Sequence, residues 1–176
     1  MRSGDRDAYA GLVDRHAPVA LRTAALLGAG AEAEDVVQEA FVKAYARLDT
    51  FRDGAPFRPW LLRIVTNEAR NLHRGAGRRR ERERLTWART ERLLVEAEPL
   101  DSALSSERRA ALVAALRELD TRDREVVTCR YLLELDEQET AAVLGWPRGT
   151  VKSRLSRALR RLETILGANQ EEGTHA

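Results

Sequence analysis

The clearest chemistry in the sequence lies near its C-terminal end, where every charged residue in the range 148–161 is basic. Apolar residues in this segment recur every three or four positions, which is typical of one face of an α-helix. The opposite face carries hydroxyl and basic groups, which donate hydrogen bonds to phosphates and to guanine, whereas a carboxylate would be repelled by a duplex. A solvated basic surface is the alternative. We predict that this basic face binds DNA through Arg148, Thr150, Lys152, Ser153, Ser156, Arg157 and Arg160.

A helix-turn-helix is indicated by the residues around the start of this face. Asp136 and Glu139 have the spacing of a capping box, in which each side chain accepts a hydrogen bond from the other's backbone N–H group. The helix that begins there would end at Gly145, and Pro147 would start the next helix after a tight turn. The basic face would then lie on the second helix of the motif, the one that enters the major groove of DNA.

A second candidate surface is acidic. In the range 28–42 all the charged residues are acidic. Four residues there fall at i, i+3, i+4 and i+7, so they form one stripe of a helix that faces away from its apolar side. Their acceptors could meet the arginines of a protein partner, and a solvated acidic face is the alternative. This acidic stripe consists of Asp35, Gln38, Glu39 and Val42.

Length and composition narrow the class of protein. A chain of 176 residues suits two small domains, and no apolar run approaches the ~20 residues that span a bilayer. Because the first residues are polar and lack the apolar stretch of a signal peptide, we expect a cytoplasmic protein without membrane insertion. Cys129 is the single cysteine and the histidines are scattered, so we expect no metal site. No phosphate-loop motif or active site is found, and we expect neither a cofactor nor catalysis.

Helical spacing throughout the sequence predicts an all-α fold of two small helical domains joined by a linker. In the first domain we expect helices near 5–16, 18–27, 31–48 and 57–74, with Pro18 in the first turn of the second one. The apolar stripes place Trp60 in the first core, and Tyr131 and Leu159 on the buried sides of the second domain. The predicted boundaries are 1–74 for the first domain, 75–102 for the linker, 103–166 for the second domain and 167–176 for a frayed tail.

The second domain resembles a known family. Residues 144–162 read LGWPRGTVKSRLSRALRRL and closely resemble region 4 of bacterial sigma factors of the extracytoplasmic-function (ECF) group. Residues 119–127, LDTRDREVV, are similar to the start of that region. The resemblance implies that the basic face reads the minus-thirty-five promoter element and that this domain binds the β flap of RNA polymerase. Many response-regulator outputs contain a similar helix-turn-helix, so this half alone leaves two families open.

The first domain resembles region 2 of the same group. Residues 35–45, DVVQEAFVKAY, are similar to the helix that binds the β′ clamp helices of core RNA polymerase, which implies that the acidic stripe is this contact. Residues 57–74, FRPWLLRIVTNEARNLHR, resemble the helix that faces the minus-ten element, and the loop 49–56 would hold a base flipped out of the duplex. Asn71 departs from the aspartate that the family often has there. The resemblance implies minus-ten contacts by the outward residues Arg63, Asn67, Arg70, Asn71 and Arg74.

Because both domains carry the resemblance, it implies an ECF-group sigma factor of the sigma-70 family. Its partners would be core RNA polymerase and promoter DNA, and the family also allows an anti-sigma factor. One rival is a helix-turn-helix regulator that binds DNA without joining polymerase, and another is a helical adaptor that binds only protein. Co-elution with core polymerase, together with transcription from a promoter that core alone ignores, would separate these classes.

Overall fold

The computed structural model of the protein describes residues 6–52, 54–74 and 106–173. These ranges contain helices and no strand, so the all-α prediction is confirmed. They form two compact units, centred on residues 6–74 and on residues 106–141 together with 146–173. The predicted linker, 75–102, lies outside the described residues.

Three α-helices lie within the described residues 6–74 of the first unit. They are α1 (Arg6–Ala24), α2 (Ala33–Ala46) and α3 (Phe57–Arg74), and the bounds of α3 are those predicted. The chain passes from α1 to α2 through a π turn and a 3-10 turn, Ala25–Ala29 and Gly30–Glu32. Gly28 has a φ of 108° and Gly30 a φ of 55°. Because side chains with a Cβ rarely adopt such values, these glycines allow the reversal between the two helices.

The predicted break at Pro18 is wrong, because α1 continues through this residue. A proline inside a helix removes one N–H donor and leaves one carbonyl group without its helical partner. Pro18 lies on the exposed side of α1, where water can solvate that carbonyl group. The next turn is held by its buried residues Ala20, Thr23 and Ala24. Burial of that turn therefore maintains the helix across the proline.

The core of the first unit is small and aliphatic. Leu61, Leu62 and Val65 of α3 are fully buried. The predicted inner side of α2 is buried as expected, through Val36, Val37, Ala40, Phe41 and Ala44. Trp60 is only partly buried and lies in an aromatic cluster with Phe51 and Phe57, at ring-centroid distances of 5.1 and 5.5 Å. The aromatic rings thus cover the edge of this core.

Four α-helices lie within the described residues 106–173: α4 (Ser106–Glu118), α5 (Thr121–Val127), α6 (Glu137–Leu144) and α7 (Arg148–Gly173). The capping box is present as predicted. The Glu139 N–H donates to Asp136 Oδ1 at 2.7 Å, and the Asp136 N–H donates to Glu139 Oε2 at 2.9 Å. Gly145, with a φ of 70°, ends α6, and α7 begins three residues later. Helices α6 and α7 are therefore the predicted helix-turn-helix.

Two of the predicted buried positions are exposed, and the tail differs from the prediction. Tyr131 is exposed because the π turn Thr128–Leu132 has one more residue per hydrogen-bonded turn than an α-helix, which rotates it away from the core. Leu159 is exposed because it lies toward the edge of the apolar stripe of α7. Helix α7 also runs past Gly167 to Gly173, since one glycine costs only ~1 kcal/mol in a helix.

Candidate functional site

The acidic stripe lies along the exposed side of α2. Asp35, Gln38, Glu39 and Val42 are all exposed, and the opposite side of the helix is packed against α1 and α3. The structure thus brings the four predicted residues onto one surface. Three of them offer oxygen acceptors, whereas Val42 adds exposed apolar area at the C-terminal end of the stripe.

Lys43 connects the acidic stripe to α3. Its Nζ lies 2.6 Å from Glu68 Oε2 and 3.1 Å from Glu39 Oε1. The hydrogen bond to Glu68 is the main reason that the pKa of Lys43 is raised, and the one to Glu39 adds to it. The negative charge of Glu39 is therefore partly neutralised by a cation of its own helix. Sequence reasoning missed this bridge, although Glu39 and Lys43 have the i, i+4 spacing of a helical ion pair.

An apolar groove of about 850 Å³ lies beside the acidic stripe, between α1 and α2. Tyr9 helps to shape it: its hydroxyl donates to the Phe41 carbonyl oxygen at 2.6 Å, and its ring packs edge-on against Tyr45 at 4.9 Å. Gln38 and Val42 belong to both the groove and the stripe, so the two surfaces are continuous. Sequence reasoning missed this groove, although the main α1 residues that line it follow one another at intervals of four and so share one side of the helix. The groove is lined mainly by Tyr9, Val13, Ala17, Leu21, Val37, Phe41 and Tyr45.

The polar face of α3 is exposed in part. Arg63, Asn67 and Asn71 are exposed and four residues apart, so they share one side of the helix. Arg70 is half-buried, which separates it from the other three. Arg74 is the last residue of α3, and its side chain lies outside the described part of the structure. The predicted minus-ten residues thus include one exposed row of three.

The loop before α3 is organised by the aromatic cluster already described. Phe51 packs edge-on against Phe57, with ring centroids 5.7 Å apart. Gly54 has a φ of 80°, which lets the chain turn into α3. His16 of α1 contacts Phe57 at a centroid distance of 5.2 Å, and burial lowers the pKa of His16, with Arg15 and Arg58 adding to the effect. The cluster thus connects the loop to both α1 and α3.

The basic face of α7 is largely exposed. All of its predicted residues are exposed except Thr150, which is half-buried, and Val151, Ala158 and Leu162 are buried on the other side. Arg148 Nε lies 3.1 Å from Glu137 Oε1 of α6, so this arginine bridges the two helices of the motif. The remaining members present amines, guanidinium groups and hydroxyls along one surface without a carboxylate. This surface can donate many hydrogen bonds to an anionic polymer.

Two family models match the chain: Sigma-70 region 2 over residues 12–79, and Sigma-70, region 4 over residues 109–162. RNA polymerase sigma factor CnrH of Cupriavidus metallidurans is 34% identical, covering 97% of this chain and 92% of its own. The ECF RNA polymerase sigma-E factor of Escherichia coli is 34% identical, covering 90% and 86%. The solved structure of CnrH in complex with the cytosolic domain of CnrY matches at a TM-score of 0.68 and 32% identity, covering 94% and 92%.

These matches extend over both helical units. The chain belongs to the sigma-70 family of RNA polymerase sigma factors, in its ECF group. The family that the sequence resemblance implied is therefore confirmed. Because a sigma factor binds core RNA polymerase and directs it to promoters, both rivals are set aside: the regulator that never joins polymerase and the adaptor that binds only protein. In the described part of the chain, no helix is both long and apolar enough to cross a membrane.

Proposed function

We propose that region 2 binds core RNA polymerase through the acidic stripe and the minus-ten element through α3, whereas region 4 reads the minus-thirty-five element through the basic face of α7. The observation that carries this proposal is the pair of exposed stripes of opposite charge, each on a helix whose other side is buried. One stripe accepts hydrogen bonds and the other donates them. The chain itself catalyses nothing and acts in the cytoplasm, where RNA polymerase works.

The polymerase contact combines charge with apolar area. Asp35 and Glu39 select cationic side chains on the β′ clamp helices, and Gln38 offers an uncharged hydrogen-bonding group. Exposed charges alone contribute little affinity, since rim ion pairs stay solvated. The apolar groove beside the stripe supplies the area that a stable interface requires at its centre. Region 4 makes a second contact with the β flap.

The minus-ten contact uses the exposed row on α3. Arg63 donates to backbone phosphates, and the amide groups of Asn67 and Asn71 have both donors and acceptors for base edges. An asparagine at position 71 adds no negative charge beside DNA, in contrast to the aspartate common in the family. The aromatic cluster around Phe51 offers rings on which a flipped base of the melted strand can stack.

The minus-thirty-five contact uses α7 in the manner of other recognition helices. The N-terminal part of such a helix enters the major groove, so Lys152, Ser153 and Ser156 lie near base edges. Arg157 and Arg160 follow along the helix and donate to phosphates. Arg148 is held by Glu137, so its position relative to the groove depends on α6 as well.

A regulatory protein partner is also part of the proposal. The related CnrH forms a complex with the cytosolic domain of CnrY, and we extend a partner of this kind, an anti-sigma factor, to the present chain. The apolar groove supports the extension, because a helix with one apolar side can bury that side in such a groove. Since the groove adjoins the acidic stripe, this partner would compete with core polymerase.

The experiment that tests the proposed function uses the full chain and core RNA polymerase. We expect the two to co-elute on gel filtration, and we expect the complex to transcribe from a promoter that core alone ignores. That promoter is obtained by selecting duplexes from a randomised pool with the assembled holoenzyme. Failure to co-elute, or co-elution without selection of any sequence, would contradict the proposal.

A further inference from the structure

One basic residue of α7 differs from its neighbours on the basic face. The side chain of Arg154 is only 19% exposed, whereas that of Arg148, also on α7, is 65% exposed. Its Nη1 donates to Asp123 Oδ1 at 2.8 Å. The Asp123 side chain is 3% exposed, so this carboxylate is buried. Arg154 therefore points into region 4, toward α5.

Two further groups surround the Arg154 guanidinium. Asp120 Oδ1 lies 3.8 Å from Nη1, and the guanidinium carbon lies 5.8 Å from the ring centroid of Trp146, in the turn between α6 and α7. Asp120 also caps α5, because it accepts the Asp123 N–H at 2.8 Å. Arg154 thus contacts the N-terminal end of α5 and the turn of the motif at the same time.

A buried carboxylate requires a cation and hydrogen bonds, because an ion in the protein interior loses its hydration. Arginine suits this position, since its planar group can bind a carboxylate at its edge and stack on an aromatic ring. The partners of Arg154 lie on two different parts of region 4, the N-terminal end of α5 and the turn between α6 and α7. Together with the buried Val151 and Ala158, the pair therefore constrains the rotation of α7 about its own axis, and that rotation decides which side chains the helix presents.

We propose that Arg154 is a positioning residue that holds α7 in its reading orientation, and that Asp123 withholds the charge of Arg154 from DNA. This inference rests on the proposed function of α7. Arg154 makes no phosphate contact, although it lies within a basic run of the sequence. Replacement of Asp123 by an apolar residue would release the guanidinium and add a non-specific phosphate contact.

The test compares matched arginine variants in the holoenzyme, assembled from the full chain and core RNA polymerase. Binding to a duplex selected by the parent holoenzyme and to a scrambled duplex is measured at several salt concentrations. Arg157→Met removes an exposed arginine one turn away, and we expect it to lower the slope of log K against log salt by about one unit. Arg154→Met should weaken binding to the selected duplex by about tenfold or more while leaving the salt slope on a scrambled duplex unchanged, because non-specific phosphate contacts do not require the reading orientation. A slope on the scrambled duplex lowered by about one unit in Arg154→Met would overturn the inference.

Arg154→Met leaves Asp123 buried without its cation, so this variant could fail to fold. A rescue experiment distinguishes that outcome from a loss of orientation. The double variant Asp123→Leu with Arg154→Met removes both charges, and we expect it to bind within about threefold of the parent. Asp123→Leu alone should raise the slope by about one unit, since it frees Arg154. Failure of the double variant to recover, or an unchanged slope in Asp123→Leu, would overturn the inference. An unchanged slope in Arg157→Met would instead show that α7 does not face DNA, which contradicts the proposed function itself.

Discussion

The acidic stripe of α2 and the basic face of α7 are built on the same plan and differ in what lies beside them. Each is the exposed side of a helix whose other side is buried. The acidic stripe adjoins an apolar groove, and one of its carboxylates is bound by Lys43. The basic face consists mainly of exposed donors, and the buried Asp123 draws one arginine of α7 away from it. Apolar area beside a polar stripe suits a folded protein partner, whereas a row of donors suits a polyanion.

The comparison also shows how each surface is oriented. In region 2, Lys43 connects α2 to α3 through Glu68. In region 4, Arg154 connects α7 to α5 through Asp123. In both regions, a cation on the presenting helix binds a carboxylate on a neighbouring helix. Local charge alone therefore does not show which residues contact a partner, because some of the charged residues serve to orient the helix.

The largest effect is expected from charge reversal in the acidic stripe. Asp35→Arg with Glu39→Arg would place positive charges opposite the cations of the clamp helices. Such like-charge contacts cost several kcal/mol of binding free energy. We expect core polymerase affinity to fall at least ~100-fold. The melting temperature should fall only slightly, because both residues are exposed and the ion pair of Glu39 with Lys43 that the variant loses is solvated. Glu118→Arg with Glu163→Arg is the control, since both residues are exposed in region 4 and the net charge changes equally. If the stripe variant binds core polymerase as well as the control does, the acidic stripe is not the polymerase contact.

The next largest effect separates the residues of the basic face that contact bases from those that contact phosphates. We expect Lys152→Ala or Ser156→Ala to cost ~1 to 3 kcal/mol on the selected duplex and to relax the preference at one base pair. Arg157→Ala or Arg160→Ala should weaken binding to every sequence and lower the salt slope by about one unit. Titration of the holoenzyme with selected and scrambled duplexes separates the two outcomes. Identical binding by all these variants and the parent would show that α7 does not read DNA.

A smaller effect is expected at the start of the helix-turn-helix. Asp136→Ala removes the side-chain acceptor of the capping box, which should cost ~1 kcal/mol of region 4 stability. Asp136→Asn keeps an oxygen acceptor and is the matched control. Hydrogen exchange of the α6 amides measures the change, and core binding through region 2 should not respond. Equal protection in the two variants would show that the cap is dispensable.

The smallest effect concerns pH and region 2. Burial lowers the pKa of His16, so the unfolded chain binds its proton at a higher pH than the folded chain does. The neutral His16 imidazole contributes its full share to the free energy of unfolding above the pKa that it has in the unfolded chain. This share is lost as pH falls through the pKa that it has in the folded chain. Thermal unfolding should therefore show a loss of stability as pH falls below about 7 that is smaller in His16→Gln. An identical loss in both proteins would exclude His16 as its source.

Local patterns predicted much of the fold. The range 57–74 of α3, the capping box at Asp136 and Glu139, and the helix end at Gly145 all depend on residues within a few positions of one another. The break at Pro18 was predicted from local propensity, which tertiary packing overrides in α1. Tyr131 was misplaced because a π turn shifts the helical period, and spacing alone does not indicate such a turn.

The site was predicted in part. The exposed positions of the acidic stripe and of the basic face followed from helical spacing, and the structure brings each set onto one surface. The orienting pairs could not be found in this way, since Lys43 and Glu68 are 25 residues apart and Asp123 and Arg154 are 31 apart. Their pairing depends on how helices pack, and so does the apolar groove between α1 and α2.

The division of labour between the two surfaces is tested most directly by measuring two affinities on two variants. The variants are Asp35→Arg with Glu39→Arg in the acidic stripe, and Lys152→Ala with Arg157→Ala in the basic face. Affinity for core polymerase is measured first, and affinity of the resulting holoenzyme for the selected duplex second. We expect the stripe variant to lose core binding, and the basic-face variant to bind core as the parent does while losing preference for the duplex. Loss of core binding by the basic-face variant, or unchanged duplex preference in it, would contradict this division.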